Sequence, residues 1–385
     1  TTDSPWTKRA LALNPGYGEA YATPAYFYVI TRRYREAIAL LNKAVEVEPD
    51  LYSAHTELGV NLLRENKVAE AQQHLAIAYR GDPFSAPVVN TLRLIDSFES
   101  FVVSQHGPDT KMQGAVPNKG SILRLHKKEA PVIEPYVLDV VNRTIATYTQ
   151  RYGFELKQPV VVELYPQHDD FGVRVAGLPG IGLLGVTFGY LVAMDSPARH
   201  ADSDFHWGTT LWHEMAHVFT LQLSKYRVPR WLTEGISVYE ETKRDPSWGM
   251  RMTPRYREMI VKGELTPVGS LSAAFLAPKN AEYLQFAYFE SFLVVDFIAG
   301  KYGAPALQGI LKDLGAGVEI NRAIAAHTQA IGGLEKEFET YAKDRAEKLA
   351  PGLTFEQPPA EVMARTAELQ LQDWLARNPD NYYAM

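Results

Sequence analysis

Three residues in one short stretch could share a single chemical task. The segment TTLWHEMAHVFTLQL places His213, Glu214 and His217 within five positions. On an α-helix, residues four apart lie on one face, one turn above the other. Two imidazoles so spaced can bind one Zn²⁺, and the glutamate between them then projects beside the metal's open position. Downstream, RWLTEGISVYE supplies Glu234 after a spacer of residues 218–233. That spacer accommodates the rest of one helix, a turn, and a second helix that returns a carboxylate to the same metal. Two histidines and one glutamate make a catalytic zinc set whose fourth position is left for water. The neighbours Leu211, Trp212, Val218, Phe219, Trp231, Leu232 and Ile236 are apolar or aromatic, so both helices are expected to be buried. A bare HExxH is often only a solvated His–Glu face. In an apolar helix, however, unpartnered polar groups are costly to bury, which favours a shared internal ligand.

HEMAH followed by WLTEG resembles the gluzincin metallopeptidases, the group that includes thermolysin-like and aminopeptidase-N-like enzymes. The surrounding residues are similar to the bacterial peptidase MA-like domains that often sit beside tetratricopeptide repeats. The resemblance runs from Ser121 to Pro351 and is most specific from Gly185 to Glu241. It implies that His213, His217 and Glu234 are zinc ligands and that Glu214 is the general base. It also implies a phenol near the metal as donor to the tetrahedral oxyanion: Tyr288 in AYFES, with Tyr283 as the competing candidate. The edge strand ahead of the zinc helix pairs with extended substrate backbone in such folds, which would make Gly185, Val186, Thr187, Phe188 and Gly189 the lining of the substrate groove. The aminopeptidase branch carries a GxMEN motif at this place. Here it reads GVTFGYLVAM, a departure that weakens the case for amino-terminal trimming.

The elements that must position these groups follow from the rest of the chain. Pro15, Pro49 and Pro83 recur every 34 residues, and the pairs Ala37/Ala71 and Ala44/Ala78 keep the same interval. Ala25 and Gly59 take the small positions where paired helices touch. This pattern resembles tetratricopeptide repeats, each a helix–turn–helix. Two full repeats are expected over 16–49 and 50–83, with residues 7–13 ending an earlier one. Residues 85–103 read as one more helix capping the stack. The Gly/Pro/Lys-containing stretch 106–120 reads as a linker or surface loop. SILRLHKK alternates as a half-buried strand does, PVVVELYP is a strand bounded by prolines, and VIEPYVLDVVNRTIATYTQRYG is a helix that stops at Gly153. QHDDFGVRV reads as a short helix or turn with Asp169 and Asp170 at an exposed start. The glycine-rich 177–185 has no phosphate-loop ending and is either a connection or a mobile lip over the cleft; LLGVTFGYLVAMD follows as a strand. His206 is expected just outside the zinc helix and is not counted as a ligand. Beyond residue 281 come a long apolar helix and a closing bundle over 304–314, 318–330 and 334–349. PGLTFEQPPA is a linker, and the last residues suggest a partial repeat, with Ala367 at a small position but Trp374 where another is expected.

The fold class expected is therefore α+β. Helical repeats (1–105) and a linker (106–120) lead into a gluzincin-like domain (121–351) of small mixed sheet, zinc-binding helices and bundle, and a helical segment (352–385) ends the chain. At 385 residues the chain can bury a large core. A net charge of -6 with 22% charged residues offers no basic stripe for nucleic acid. Apolar runs such as FLVVDFIAG fall far short of the ~20 residues a membrane helix needs. With no cysteine, disulfides and thiolate zinc sites are excluded. No signal-peptide pattern opens the chain, and Thr1 is not a natural start, so a processed or excised fragment is expected. The expected activity is zinc-dependent hydrolysis of a peptide or protein substrate, with the repeats recruiting a partner or shaping access to the cleft. An aminopeptidase, or a repeat-based binding protein with an inactive peptidase-like domain, are the rival readings.

Overall fold

The computed structural model describes residues 4–108, 119–200, 206–359, 362 and 368–384. Six helices open it: α1 (Pro5–Leu13), α2 (Glu19–Ile30), α3 (Tyr34–Val47), α4 (Tyr52–Arg64), α5 (Val68–Gly81) and α6 (Ala86–Ser97). α2 packs on α3 and α4 on α5. Ala37, Ala44, Ala71 and Ala78 are buried at the contacts, where a methyl group is all the space allows, and Leu41, Leu58, Leu62 and Leu75 fill the core between pairs. The turn inside each pair passes through one left-handed residue, Arg32 in the first (φ 60°) and Asn66 in the second (φ 60°).

The helix expected over 85–103 ends at Ser97, and Phe101–His106 is strand β1. Apolar spacing runs through this segment without a break. The β-branched Val102 and Val103 and the pairing of β1 with β2 (Ser121–His126) decide for the strand. Segment 106–120 thus joins two paired strands, with His106 opposite Ser121; residues 109–118 of it lie outside the described residues. After α7 (Ala130–Tyr152), ended by left-handed Gly153, come β3 (Val160–Tyr165) and α8 (His168–Ala176). The stretch expected as one strand before the zinc helix is a hairpin of β4 (Gly185–Phe188) and β5 (Leu191–Asp195), because Gly189 turns the chain at φ 72°. The sheet is mixed, in the order β1-β2-β3-β5-β4, with β2, β3 and β5 parallel and the two outer pairs antiparallel. β3 is buried along its whole length, as a central parallel strand is, and β4 is an edge.

Helices complete the chain: α9 (Trp207–Leu223), α10 (Arg230–Arg244), α11 (Pro254–Val261), α12 (Ser272–Leu276), α13 (Ala281–Tyr302), α14 (Ala304–Gly315), α15 (Ile320–His327), α16 (Ile331–Glu347) and α17 (Glu368–Arg377). One large apolar core joins α7, one face of the sheet, α9, α10, α13 and the bundle. The architecture is α+β: a five-stranded mixed sheet among many helices, preceded by a helical arm. Trp374 lies in α17, while Ala367 is outside the described residues. No described helix is long and apolar enough to cross a membrane.

The arm is fastened to the sheet by a buried charge cluster. Glu163 on β3 is fully buried and accepts from Arg124, from Arg174 Nε at 2.7 Å and from the Tyr165 hydroxyl at 2.8 Å. Burial opposes its charge, but the two guanidinium groups override that and hold its carboxyl below the usual range. The same arginines reach into the arm, Arg124 to Asn66 Oδ1 at 3.0 Å and Arg174 to the Leu63 carbonyl at 2.9 Å. Beside them the ring of Phe188 on β4 meets Tyr34 edge-on, with centroids 5.9 Å apart. This docking brings the α2–α3 turn to the start of α10.

Candidate active site

α9 is capped by His206, whose ring nitrogen accepts the Thr209 N–H at 3.0 Å. As expected, His206 stands outside α9; its ring lies against Trp248. The chain leaves α9 through left-handed Lys225 and Tyr226 and enters α10 after Pro229. α10 is seated closely on α13. A Cβ at Gly235 would lie 2.5 Å from the Ser291 carbonyl oxygen, so only glycine permits this approach.

The packing of α9 on α10 brings the three expected ligands together. Nε2 of His213 and Nε2 of His217 each lie 3.3 Å from Oε2 of Glu234. Tetrahedral ligand atoms bound to zinc at ~2.0–2.1 Å are separated by about 3.3–3.4 Å, so this spacing suits one metal ion. Burial disfavours charge on both partners. It is outweighed by the bonds His213 makes to Glu234 and Glu241, and by the imidazoles around Glu234. His213 is therefore held well above, and Glu234 well below, its ordinary value.

Each imidazole is oriented from behind. His213 Nδ1 is hydrogen-bonded to Glu241. His217 Nδ1 meets the Thr233 hydroxyl at 2.7 Å, which in turn meets Thr220 Oγ1 at 2.6 Å. With both Nδ1 atoms engaged from behind, both Nε2 atoms are turned toward Glu234 Oε2. Glu214 also belongs to the cluster: its carboxylate and the two imidazoles lie within 4.8 Å of one another. It differs from Glu234 in being held from the sheet side, with the Thr187 hydroxyl 2.7 Å from its Oε2. Two carboxylates thus flank the imidazoles, Glu234 from α10 and Glu214 from α9 itself.

The two tyrosines separate. The Tyr288 hydroxyl accepts from Arg230 Nη2 at 2.6 Å, and Glu234 is near enough to push the phenol up after burial has done so. Tyr283 instead donates to Glu264 at 2.5 Å and is tied to the loop after α11. On β4 the period of two sorts the residues. Gly185 and Thr187 face Glu214, and a Cβ at Gly185 would come 2.8 Å from Glu214 Cγ. Val186 and Phe188 face the arm-side cluster, and Gly189 is in the turn. Thr233 and Glu241 are additions that sequence reasoning missed, although Glu241 follows Glu234 by seven residues and so shares its helix face. Arg32, also missed, places Nη2 4.0 Å from Glu234 Oε1; nothing local in the sequence signals it.

Among curated proteins, none matches the chain. A family model described as Peptidase MA superfamily matches residues 141–344, just over half of the sequence. The span runs from within α7 into α16 and includes His213, Glu214, His217, Thr233, Glu234 and Glu241, but not Arg32. On the strength of that match the chain belongs to the Peptidase MA superfamily and carries a peptidase-like domain.

Proposed function

We propose that the protein is a zinc-dependent metallopeptidase, with His213, His217 and Glu234 as ligands and Glu214 as general base. The reading rests on one observation: the Nε2 atoms of both α9 histidines each lie 3.3 Å from one carboxylate oxygen of α10, a separation that suits donors to a tetrahedral zinc. A zinc ion held there supplies Lewis acidity that activates water near neutral pH. Glu214, aimed by Thr187, takes the water's proton and delivers it to the leaving amine. Tyr288, with Arg230 on its oxygen, donates to the developing oxyanion. The free edge of β4 pairs with extended substrate backbone beside Glu214. Endopeptidase action is favoured over aminopeptidase action by charge. The carboxylates at the site are all engaged, and the groups nearest Glu234 from outside are Arg32 and Arg230, which repel a free amine.

We read the arm, residues 4–100, as tetratricopeptide-type repeats that hold a substrate or partner segment. A groove of about 350 Å³ beside Tyr26 and Phe27, rings that are 60% and 61% exposed, supports this.

The experiment is metal content and hydrolysis together. Zinc-reconstituted protein should hold one zinc per chain and cleave N-acetylated and free peptides at similar rates. Glu214→Gln should retain the zinc and lose turnover by on the order of 10²–10⁴-fold. Wild-type protein that takes up no zinc on reconstitution would defeat the reading.

A further inference from the structure

Between the arm's α2–α3 turn, the α9–α10 turn and α12 lies a cleft of about 690 Å³ that reaches the metal-site helix at Thr233. Four of its lining residues are Arg32, Arg33, Arg227 and Arg230, and no Asp or Glu lines it among the described residues. In a chain of net charge -6 this is a local inversion of sign. Three of the four already hold a partner: Arg33 is paired with Glu36 at 2.8 Å, Arg227 donates to the Gly315 carbonyl at 2.9 Å, and Arg230 Nη2 donates to the Tyr288 hydroxyl at 2.6 Å. Arg32 and Arg230 point at the site. Arg230 Nε is 3.7 Å and Arg32 Nη2 4.0 Å from Oε1 of Glu234, the oxygen turned away from the imidazoles. Among the described residues Arg32 has no other ion-pair partner, and its side chain is one-third exposed. Once Glu234 shares its charge with a metal, these two guanidinium groups are left facing the cleft with little to neutralise them.

The backbone at Arg32 carries a second, independent sign. Its left-handed φ of 60° is matched one repeat later by Asn66, also at 60°. Asn tolerates that region and a long unbranched side chain does so less readily. A strained residue persists where the surrounding structure uses it. Asn66 serves the docking of the arm through Arg124. At the equivalent place, Arg32 reaches the cleft.

We propose that Arg32 and Arg230 together grip a carboxylate of the substrate, so that the arm sets the specificity of the neighbouring catalytic site. Guanidinium forks bind carboxylates by paired, charge-assisted hydrogen bonds, and Phe275, lying 5.4 Å from the Arg230 guanidinium, adds apolar surface beside them. The carboxylate is either the peptide's C-terminus or an Asp or Glu side chain. The proposal rests on the metallopeptidase reading, but its test does not depend on turnover.

The test uses full-length zinc-loaded Glu214→Gln and fluorescein-labelled peptides in four forms: free or amidated C-terminus, each with an internal Glu or Gln. Anisotropy titration should show at least about tenfold tighter binding for peptides carrying the recognised carboxylate. Preference for the free terminus assigns the terminal group, and preference for Glu assigns the side chain; either supports the proposal. Equal binding of all four forms overturns it, even if hydrolysis by the wild type is confirmed. Arg32→Asn, which copies the residue of the next repeat, should fold with an unchanged melting temperature and abolish the preference, while Arg32→Lys restores part of it. A preference that survives Arg32→Asn also overturns the proposal. Absence of hydrolysis with the binding preference intact would instead count against the metallopeptidase reading alone.

Discussion

Thr187 on the edge strand and Glu214 on the histidine-bearing helix touch directly, the threonine hydroxyl lying 2.7 Å from Glu214 Oε2 and 2.9 Å from its carbonyl oxygen. One side chain therefore fixes both the carboxylate and the turn of α9 that carries it. If Glu214 is the general base, its aim depends on this bond. Thr187→Val keeps the shape and removes the hydroxyl. A hydrogen bond to a charged group contributes about 1.5–3 kcal/mol, so kcat should fall by roughly 10–100-fold while zinc content stays that of the wild type, and Thr187→Ser should recover most of the loss. Equal kcat in Thr187→Val and wild type would remove Thr187 from the mechanism.

Glu241 stands behind His213 as Thr233 stands behind His217. A carboxylate on the far nitrogen fixes the tautomer and raises the basicity of the near one, and loss of such partners typically lowers metal affinity 10–100-fold. Glu241→Gln, which keeps an acceptor without the charge, should fall at the lower end, and Glu241→Ala at the upper. Competition for zinc against a chelator measures both. Affinities indistinguishable from wild type would make Glu241 a structural buried acid and nothing more.

These two partners show where sequence reasoning reached and where it stopped. His213, Glu214 and His217 are legible because a period of four on one helix is a local property. Glu234 is legible because the 218–233 spacer accommodates a turn and a second helix that returns a carboxylate to the same place. The helix end at Gly153 was readable for the same local reason. Phe101–His106 was not, since its apolar spacing suits a helix and only pairing with residues 121–126 decides otherwise. The β4–β5 hairpin was hidden because one glycine in an apolar run does not announce a turn. Arg32 was out of reach altogether: its approach to Glu234 depends on how the arm docks through Glu163, Arg124 and Arg174.

Glu290, two residues past Tyr288, is fully buried. Its Oε1 accepts the Thr266 N–H at 2.6 Å, while Oε2 has no partner among the described residues. Burial pushes its carboxyl up from 4.5 to about 8. Because the folded value is the raised one, the native state holds the proton more tightly than the unfolded chain. Stability should therefore fall as pH rises from 4.5 to about 8 and level off above it. Glu290→Gln keeps the bond to Thr266 and has no proton to lose. Chemical denaturation should show the variant close to wild type at the acid end of that window and more stable by about 2–4 kcal/mol above it. Parallel pH profiles for the two proteins would show that the carboxylate finds a partner on ionising.

Gly235 ties the position of Glu234 to the packing of the core. A methyl group there would sit 2.5 Å from the Ser291 carbonyl and 3.0 Å from Val295 Cγ2, so Gly235→Ala must push α10 away from α13. Overpacking of this kind destabilises by about 1–3 kcal/mol, too little to unfold a core of this size. The displacement acts first on the next residue, Glu234, whose 3.3 Å spacing to both imidazoles leaves no slack for a shift of even a few tenths of an ångström. Zinc affinity should thus drop at temperatures where the variant is still fully folded by circular dichroism, and turnover should drop with it. A variant with a lowered melting temperature but wild-type zinc affinity would mean that α10 yields at Gly235 without moving Glu234, and that the glycine serves stability only.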